Sequence, residues 1–137
     1  FQDSRVSKAL IDEMKAVDDP RLKVYVDTAL ASDFAGRRGY PNGLTPTQIN
    51  QTDPDSASLA GPQFQDNTNP ISVMSHAEVK FLQAEAAVRG YISDDAGTLY
   101  RQGIEATMQR YGIASDSVNI YLSQPSVAWN SGDSQDE

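Results

Sequence analysis

The 137-residue chain has no cysteine, which excludes disulfides, thiolate nucleophiles and cysteine-based zinc sites together. It has a single histidine, His76, too few for a histidine metal cluster. No long apolar run occurs, so no segment reads as a membrane-spanning helix or a secretory core. Positive charge is scarce: 11 Lys and Arg against 19 Asp and Glu leave a net charge of −8, a field that repels phosphate backbones and argues against nucleic acid as a partner. An initiator methionine is missing too, and the start at Phe1 leads us to expect a piece of a longer chain with any targeting signal upstream.

Apolar residues at 39% and charged residues at 22% suit a folded chain, and the length suits one domain rather than two. Val6, Leu10, Met14 and Val17 recur at helical spacing, which predicts a helix over residues 4–17 with Asp3 or Ser4 as its cap and Pro20 beyond its end. Leu22, Val24 and Val26 then alternate as in a short strand. Between residues 32 and 70, 28 of 39 positions are Gly, Pro, Asn, Asp, Ser, Thr or Gln, which predicts a long irregular segment. Segments of that kind in compact domains are usually binding loops, lids or disorder.

Helical signals return at "SHAE", residues 75–78, which has the form of a capping box between Ser75 and Glu78. Val79, Leu82, Ala86 and Phe81 are expected to face inward until Gly90 stops the helix. Ser93 is a candidate cap for a next helix with Asp94 and Asp95 in its first turn. Ala96, Leu99, Tyr100, Gly103, Ile104, Thr107, Met108 and Tyr111 share its apolar face up to Gly112. A shorter helix carrying Val118, Tyr121 and Leu122 is predicted before Pro125, and the acidic last residues should fray.

So short a connection makes the two longer helices antiparallel neighbours, and the small residues Ala84, Ala87, Ala96 and Gly103 let their backbones approach. Ala84, Ala96, Tyr100 and Gly103 also fit the spacing of a tetratricopeptide unit, although an ordinary helical hairpin accounts for the spacing equally well.

The wording around the hairpin is more particular. "MSHAEVKFLQAEAAVRGYISDDAGTLYRQGIEATMQRYGI", residues 74–113, resembles the hallmark segment of the SusD/RagB family, in which "AEV-FL-AEA--RG" and "A---Y--GI-AS" lie on successive helices. Glu78, Phe81, Leu82, Ala84, Glu85, Ala86, Arg89, Gly90, Ala96, Tyr100, Gly103, Ile104 and Ala106 match in one register, while Thr107 stands where the family usually has serine. "DPRLKVYV" at 19–26 and "GYPNGL" at 39–44 are similar to segments in the same order in the SusD-like branch from Bacteroidetes. The resemblance implies a mainly α fold, a tetratricopeptide-like hairpin over 75–112 with flanking helices and the irregular loop 32–70, within a single partial domain of a larger SusD-like protein. It further implies a non-catalytic, cell-surface lipoprotein of the outer membrane that binds glycans or other nutrients, without cofactor or metal, beside a SusC-like TonB-dependent transporter. The anchoring cysteine of such lipoproteins is not in this sequence.

Candidate ligand contacts lie in the irregular segment: Arg37, Arg38, Tyr40, Asn42 and Phe64, with Phe34, Asp66 and Asn67 nearby. Aromatic faces stack on sugar C–H surfaces while amides and charged groups meet hydroxyls; the competing expectation is that the aromatics only pin the loop. Ser75, Glu78, Ala84, Ala87, Gly90, Ala96, Tyr100 and Gly103 are expected to build the hairpin. Glu78 and Glu85, seven residues apart and about 10 Å along a helix axis, lie beyond glycosidase spacing, and Glu85 is placed to pair with Arg89. Trp129 is expected to pack or to be left open near the end of the chain. "DPDSAS" at 53–58 lacks the later ligands of a calcium loop. A helical-repeat scaffold for protein partners, without a transport role, is the alternative function, and no acid pair or nucleophile motif supports a hydrolase.

Overall fold

The computed structural model describes residues 4–31 and 36–130, in two compact units, Phe1–Asn69 and Pro70–Glu137. Phe34 and all of the acidic tail after Asn130 lie outside the described residues.

In the first unit the chain enters extended. The Val6 amide donates to the Ser58 carbonyl (2.9 Å) and the Val6 carbonyl accepts from the Tyr40 amide (2.7 Å), so its backbone groups are unavailable to a helix. Helix α1 therefore spans Lys8–Ala16 rather than starting at Ser4, and it buries Ile11 and Met14 while Leu10 faces outward. Asp18 ends it in the left-handed region (φ 43°): the Asp18 and Asp19 amides donate back to the Lys15 and Met14 carbonyls, so the helix has stopped before Pro20. The strand expected over Leu22, Val24 and Val26 is a helical turn, α2 (Leu22–Tyr25), followed by strand β1 (Val26–Ala29). The buried Asp19 carboxylate overrides the alternation. It accepts the Arg21 amide (2.9 Å) and grips the Arg21 guanidinium with both oxygens, starting a turn where hydropathy alone suggests a strand.

The segment 32–70 holds more local structure than its composition suggests. Helix α3 (Pro46–Gln51), a 3-10 turn (Pro54–Ser56), strand β2 (Ser58–Ala60) and helix α4 (Pro62–Gln65) all lie within it. Three of these begin with proline directly after a cap residue, Thr45, Asp53 or Gly61, where the missing proline N–H costs nothing. Each is too short to show a period. Strands β1 and β2 pair antiparallel, Val26 opposite Ala60 and Ala29 opposite Ser58, with an irregularity between. Ile11, Met14, Val26 and Ala57 form the core, together with the buried Ser58 hydroxyl, which accepts the Arg38 amide (3.0 Å).

The second unit is helical throughout its regular part: α5 (His76–Val88), α6 (Ala96–Arg110) and α7 (Ser115–Leu122). The Ser75–Glu78 capping box opens α5 as the sequence predicts. Its end is also as predicted: Gly90 (φ 72°) and Tyr91 donate to the Ala87 and Ala86 carbonyls, and Gly112 and Ile113 repeat that double bond at the end of α6. The cap of α6 is Asp95, not Ser93. Its carboxylate accepts the Thr98 amide (2.7 Å), because residues 91–94 are used in reversing the chain.

Leu99, Ile104 and Met108 of α6 are buried with Ala77 and Ala84 of α5 and Val118, Tyr121 and Leu122 of α7. The small residues do sit at the seam: Ala84 and Gly103 are buried, Ala87 and Ala96 are half-buried, and a Cβ on Gly103 would lie 2.7 Å from the Phe81 ring. Leu82, expected inside, is exposed, since the face turned to α6 is the one bearing Ala77 and Ala84. Tyr100 joins Phe81 (ring centroids 6.0 Å) to Trp129 (5.5 Å) and donates its hydroxyl to the Val127 carbonyl (3.0 Å). Trp129 thus packs, with Gly97 leaving room for its indole.

Candidate functional site

Residues 8, 11, 12 and 15 are three, four and seven apart, so helix α1 carries Lys8, Ile11, Asp12 and Lys15 along one face. Residues 36–39 lie against that face and leave an open cleft of ≈ 390 Å³, lined by both. Gly39 makes the approach possible, because a Cβ there would stand 2.1 Å from the Lys8 Cα. Both ends of the segment are tied to the helix: the Lys8 amide donates to the Tyr40 carbonyl (2.8 Å), and the Lys15 ammonium donates to the Arg37 carbonyl (2.7 Å).

Arg37 and Arg38 complete the lining. The Arg37 Nε donates to the Val26 carbonyl (2.6 Å) and one terminal nitrogen reaches the Lys23 carbonyl (3.4 Å). Arg38 is held through its backbone, its amide on the Ser58 hydroxyl (3.0 Å) and its carbonyl under the Ser58 amide (2.8 Å), while its side chain is exposed. Lys8 pairs with Asp12 one turn on. Four of the chain's 11 Lys and Arg residues therefore border one cleft, against a single carboxylate among the described residues.

The other predicted contacts lie elsewhere. The Asn42 side-chain oxygen accepts from the Ser7 hydroxyl (3.0 Å) and the Ala9 amide (3.4 Å), capping α1 where Ser7 itself makes no side-chain cap. Tyr40 is half-buried and bridges to Ser7 through its backbone. Phe64, on α4, meets the Tyr25 ring edge-on at 5.4 Å. Asp66 accepts from the amide and hydroxyl of Thr68, and those bonds hold its carboxyl below the usual range. The structure thus brings Arg37 and Arg38 together and sets Asn42 and Phe64 in packing and capping contacts. Lys8, Asp12 and Lys15 escaped the sequence reading. Their spacing was visible, but a helix phased on Val6 and Leu10 gave them no common purpose.

The second unit has its own cleft, ≈ 420 Å³, between the first turn of α5 and the last of α6, bordered by His76, Arg110 and Tyr111. Arg110 lies 5.8 Å from the Tyr111 ring centroid. Glu78 nearby serves as a cap: the Ser75 amide and hydroxyl hold its carboxyl below the usual range, with a smaller contribution from Arg110. Glu85 pairs with Arg89 (2.7 Å) as its spacing predicts. Among the described residues no three His, Cys, Asp or Glu side chains converge as a metal site, and no helix is long and apolar enough to cross a membrane.

Comparison with known proteins gives this geometry a context. No curated protein matches the sequence. Among solved structures, a SusD homolog from Bacteroides fragilis is 25% identical with a TM-score of 0.79, over 93% of this chain and 32% of its own. A chitin-binding SusD homolog from Flavobacterium johnsoniae is 28% identical, TM-score 0.73, over 88% and 24%. A SusD homolog from Bacteroides ovatus is 26% identical, TM-score 0.70, over 90% and 26%. The chain thus spans about a quarter to a third of the length of these relatives. A family profile described as starch-binding and associating with the outer membrane matches residues 1–137, from end to end, and the chain belongs to this SusD-like family.

Proposed function

We propose that the protein is a non-catalytic nutrient-binding component of an outer-membrane uptake system, taking up glycans or similar oligomers at the cell surface and passing them to a SusC-like TonB-dependent transporter. The observation that carries this reading is the match of the starch-binding, outer-membrane-associating family along the entire chain. Likeness to a chitin-binding homolog supports a glycan as ligand. On this reading the chain is part of one domain of a longer SusD-like protein, since it spans only a quarter to a third of its relatives. The hairpin α5–α6 is scaffold, and the contacts for ligand are sought in the first unit, with Arg37, Arg38 and Tyr40 foremost.

Calorimetric titration against neutral and acidic oligosaccharides, run beside a product assay, tests the reading. Binding without turnover is expected. Turnover would make the protein a hydrolase, and failure to recover a transporter from solubilised membranes, with peptides bound in place of sugars, would favour a helical-repeat scaffold.

A further inference from the structure

From the cleft between α1 and residues 36–39 we infer that the nutrient taken is an acidic one, a glycan bearing carboxylate or sulfate groups, and that its anion enters among Lys8, Lys15, Arg37 and Arg38. This rests on the nutrient-binding reading and adds the ligand's charge to it.

Three observations lead there. The chain carries eight more acidic than basic residues, yet among the described residues this one lining brings together Lys8, Lys15, Arg37 and Arg38 with Asp12 as its one carboxylate. Lys15 and Arg37 are bonded to backbone carbonyls, not carboxylates, so their side chains are oriented while their full charges stay uncompensated by those bonds. The cleft is also built, since Gly39 admits backbone to backbone and the ties at Lys8 and Lys15 fix the segment at both ends. Screening confines the remote acidic charge to a range of about 8–10 Å, so an anion at the cleft responds mainly to these cations. Preset donors lower the ordering cost of binding, and the guanidinium plane suits a two-oxygen group such as a uronate carboxylate or a sulfate ester. The volume of ≈ 390 Å³ takes a sugar residue along with its anion.

The test titrates the full chain with an oligogalacturonate, a sulfated oligosaccharide, a neutral oligosaccharide of equal length and inorganic sulfate. At least one acidic oligosaccharide should bind about tenfold tighter than the neutral one, and the preference should shrink as salt rises from about 0.01 to 0.1 M, where the screening length falls from about 30 to 10 Å. Lys15→Gln, which keeps a donor for the Arg37 carbonyl, and Arg38→Gln should each weaken acidic binding about two- to fivefold and neutral binding by less. Circular dichroism verifies that both variants are folded. Whether the uronate or the sulfated arm wins identifies the anion. Acidic and neutral sugars bound alike, with neither variant changing either, would overturn the inference and leave the nutrient reading standing. No binding of any sugar would overturn both, and inorganic sulfate binding as tightly as the acidic sugars would reduce the cleft to a free-anion site.

Discussion

A methyl group added at Gly61 would stand 1.9 Å from the Val24 carbonyl oxygen, whereas one added at Gly103 would meet the edge of the Phe81 ring at 2.7 Å. The first glycine brings two backbones together in the first unit; the second makes room for a side chain in the second. The contrast extends to the other contacts. Residues far apart in sequence stitch the first unit through polar groups: Asn42 caps α1, Arg5 bonds the Pro54 carbonyl and Asp55, and Arg37 bonds Val26. In the second, caps and stops come from residues within a turn of each helix end, and apolar side chains at helical spacing do the rest. Long-range polar stitching tolerates irregular backbone, which is what residues 36–39 need in order to lie along α1.

The sharpest way to break this contrast is Gly61→Ala. Its φ of −57° is ordinary for any residue, so the cost is one of space alone, and the obstructing atom is a carbonyl oxygen of the chain itself. We expect a loss above about 3 kcal/mol in urea denaturation, with amide protection lost in β1 and β2. Met108→Ala is the matching test for the second unit. Met108 is fully buried, and its truncation should cost about 2–4 kcal/mol through lost transfer energy and a cavity.

Next comes Asn42→Ala. It removes a cap supplied from 33 residues away and should cost about 1 kcal/mol, seen as faster exchange of the first α1 amides. Gly103→Ala should cost less still. The Phe81 ring is 38% exposed and free to shift outward, and alanine regains about 1 kcal/mol of helix propensity, so the net change stays within about 1 kcal/mol of zero. A loss at Gly103 equal to that at Gly61 would erase the distinction between the units.

The same distinction explains what could be read in advance. The capping box at Ser75, both glycine stops and the buried set of α6 and α7 were legible because each signal and its partner lie within a few residues. The first unit resisted for the opposite reason. Nothing near Val6 announces that its amide is taken by Ser58, and nothing near Asn42 announces that it caps α1. Thr-Pro, Asp-Pro and Gly-Pro at 45–46, 53–54 and 61–62 were readable helix starts within the polar segment, lost only because no period followed them. As for the cleft, Arg37 and Arg38 stand out by their setting, whereas Lys8 and Lys15 join them only through the close approach of residues 36–39 to α1, a long-range contact that nothing local announces.

Acid gives the gentlest probe, because the caps of α1 and α3 differ in chemistry from those of α5 and α6. Helices α1 and α3 are capped by Asn42 and by Thr45 with Gln48, groups that do not titrate. Helices α5 and α6 rely on Glu78 and Asp95, both exposed at the surface and both held below their ordinary values, 4.5 and 3.8, by bonds to Ser75 and to Thr98. A carboxyl that binds its proton less tightly when folded contributes stability that is complete above its ordinary value. That contribution is lost as pH falls through the lowered one. Between about pH 6 and pH 3, exchange of the Ser75 and Thr98 amides should therefore quicken by more than that of Ala9 and Gln48, after correction for intrinsic rates. Glu78→Gln keeps an oxygen acceptor for the Ser75 amide and should remove the pH dependence there while leaving Thr98 as it was. Equal acid responses at the caps of α1 and α5 would show that the carboxylates contribute nothing beyond what a neutral acceptor supplies.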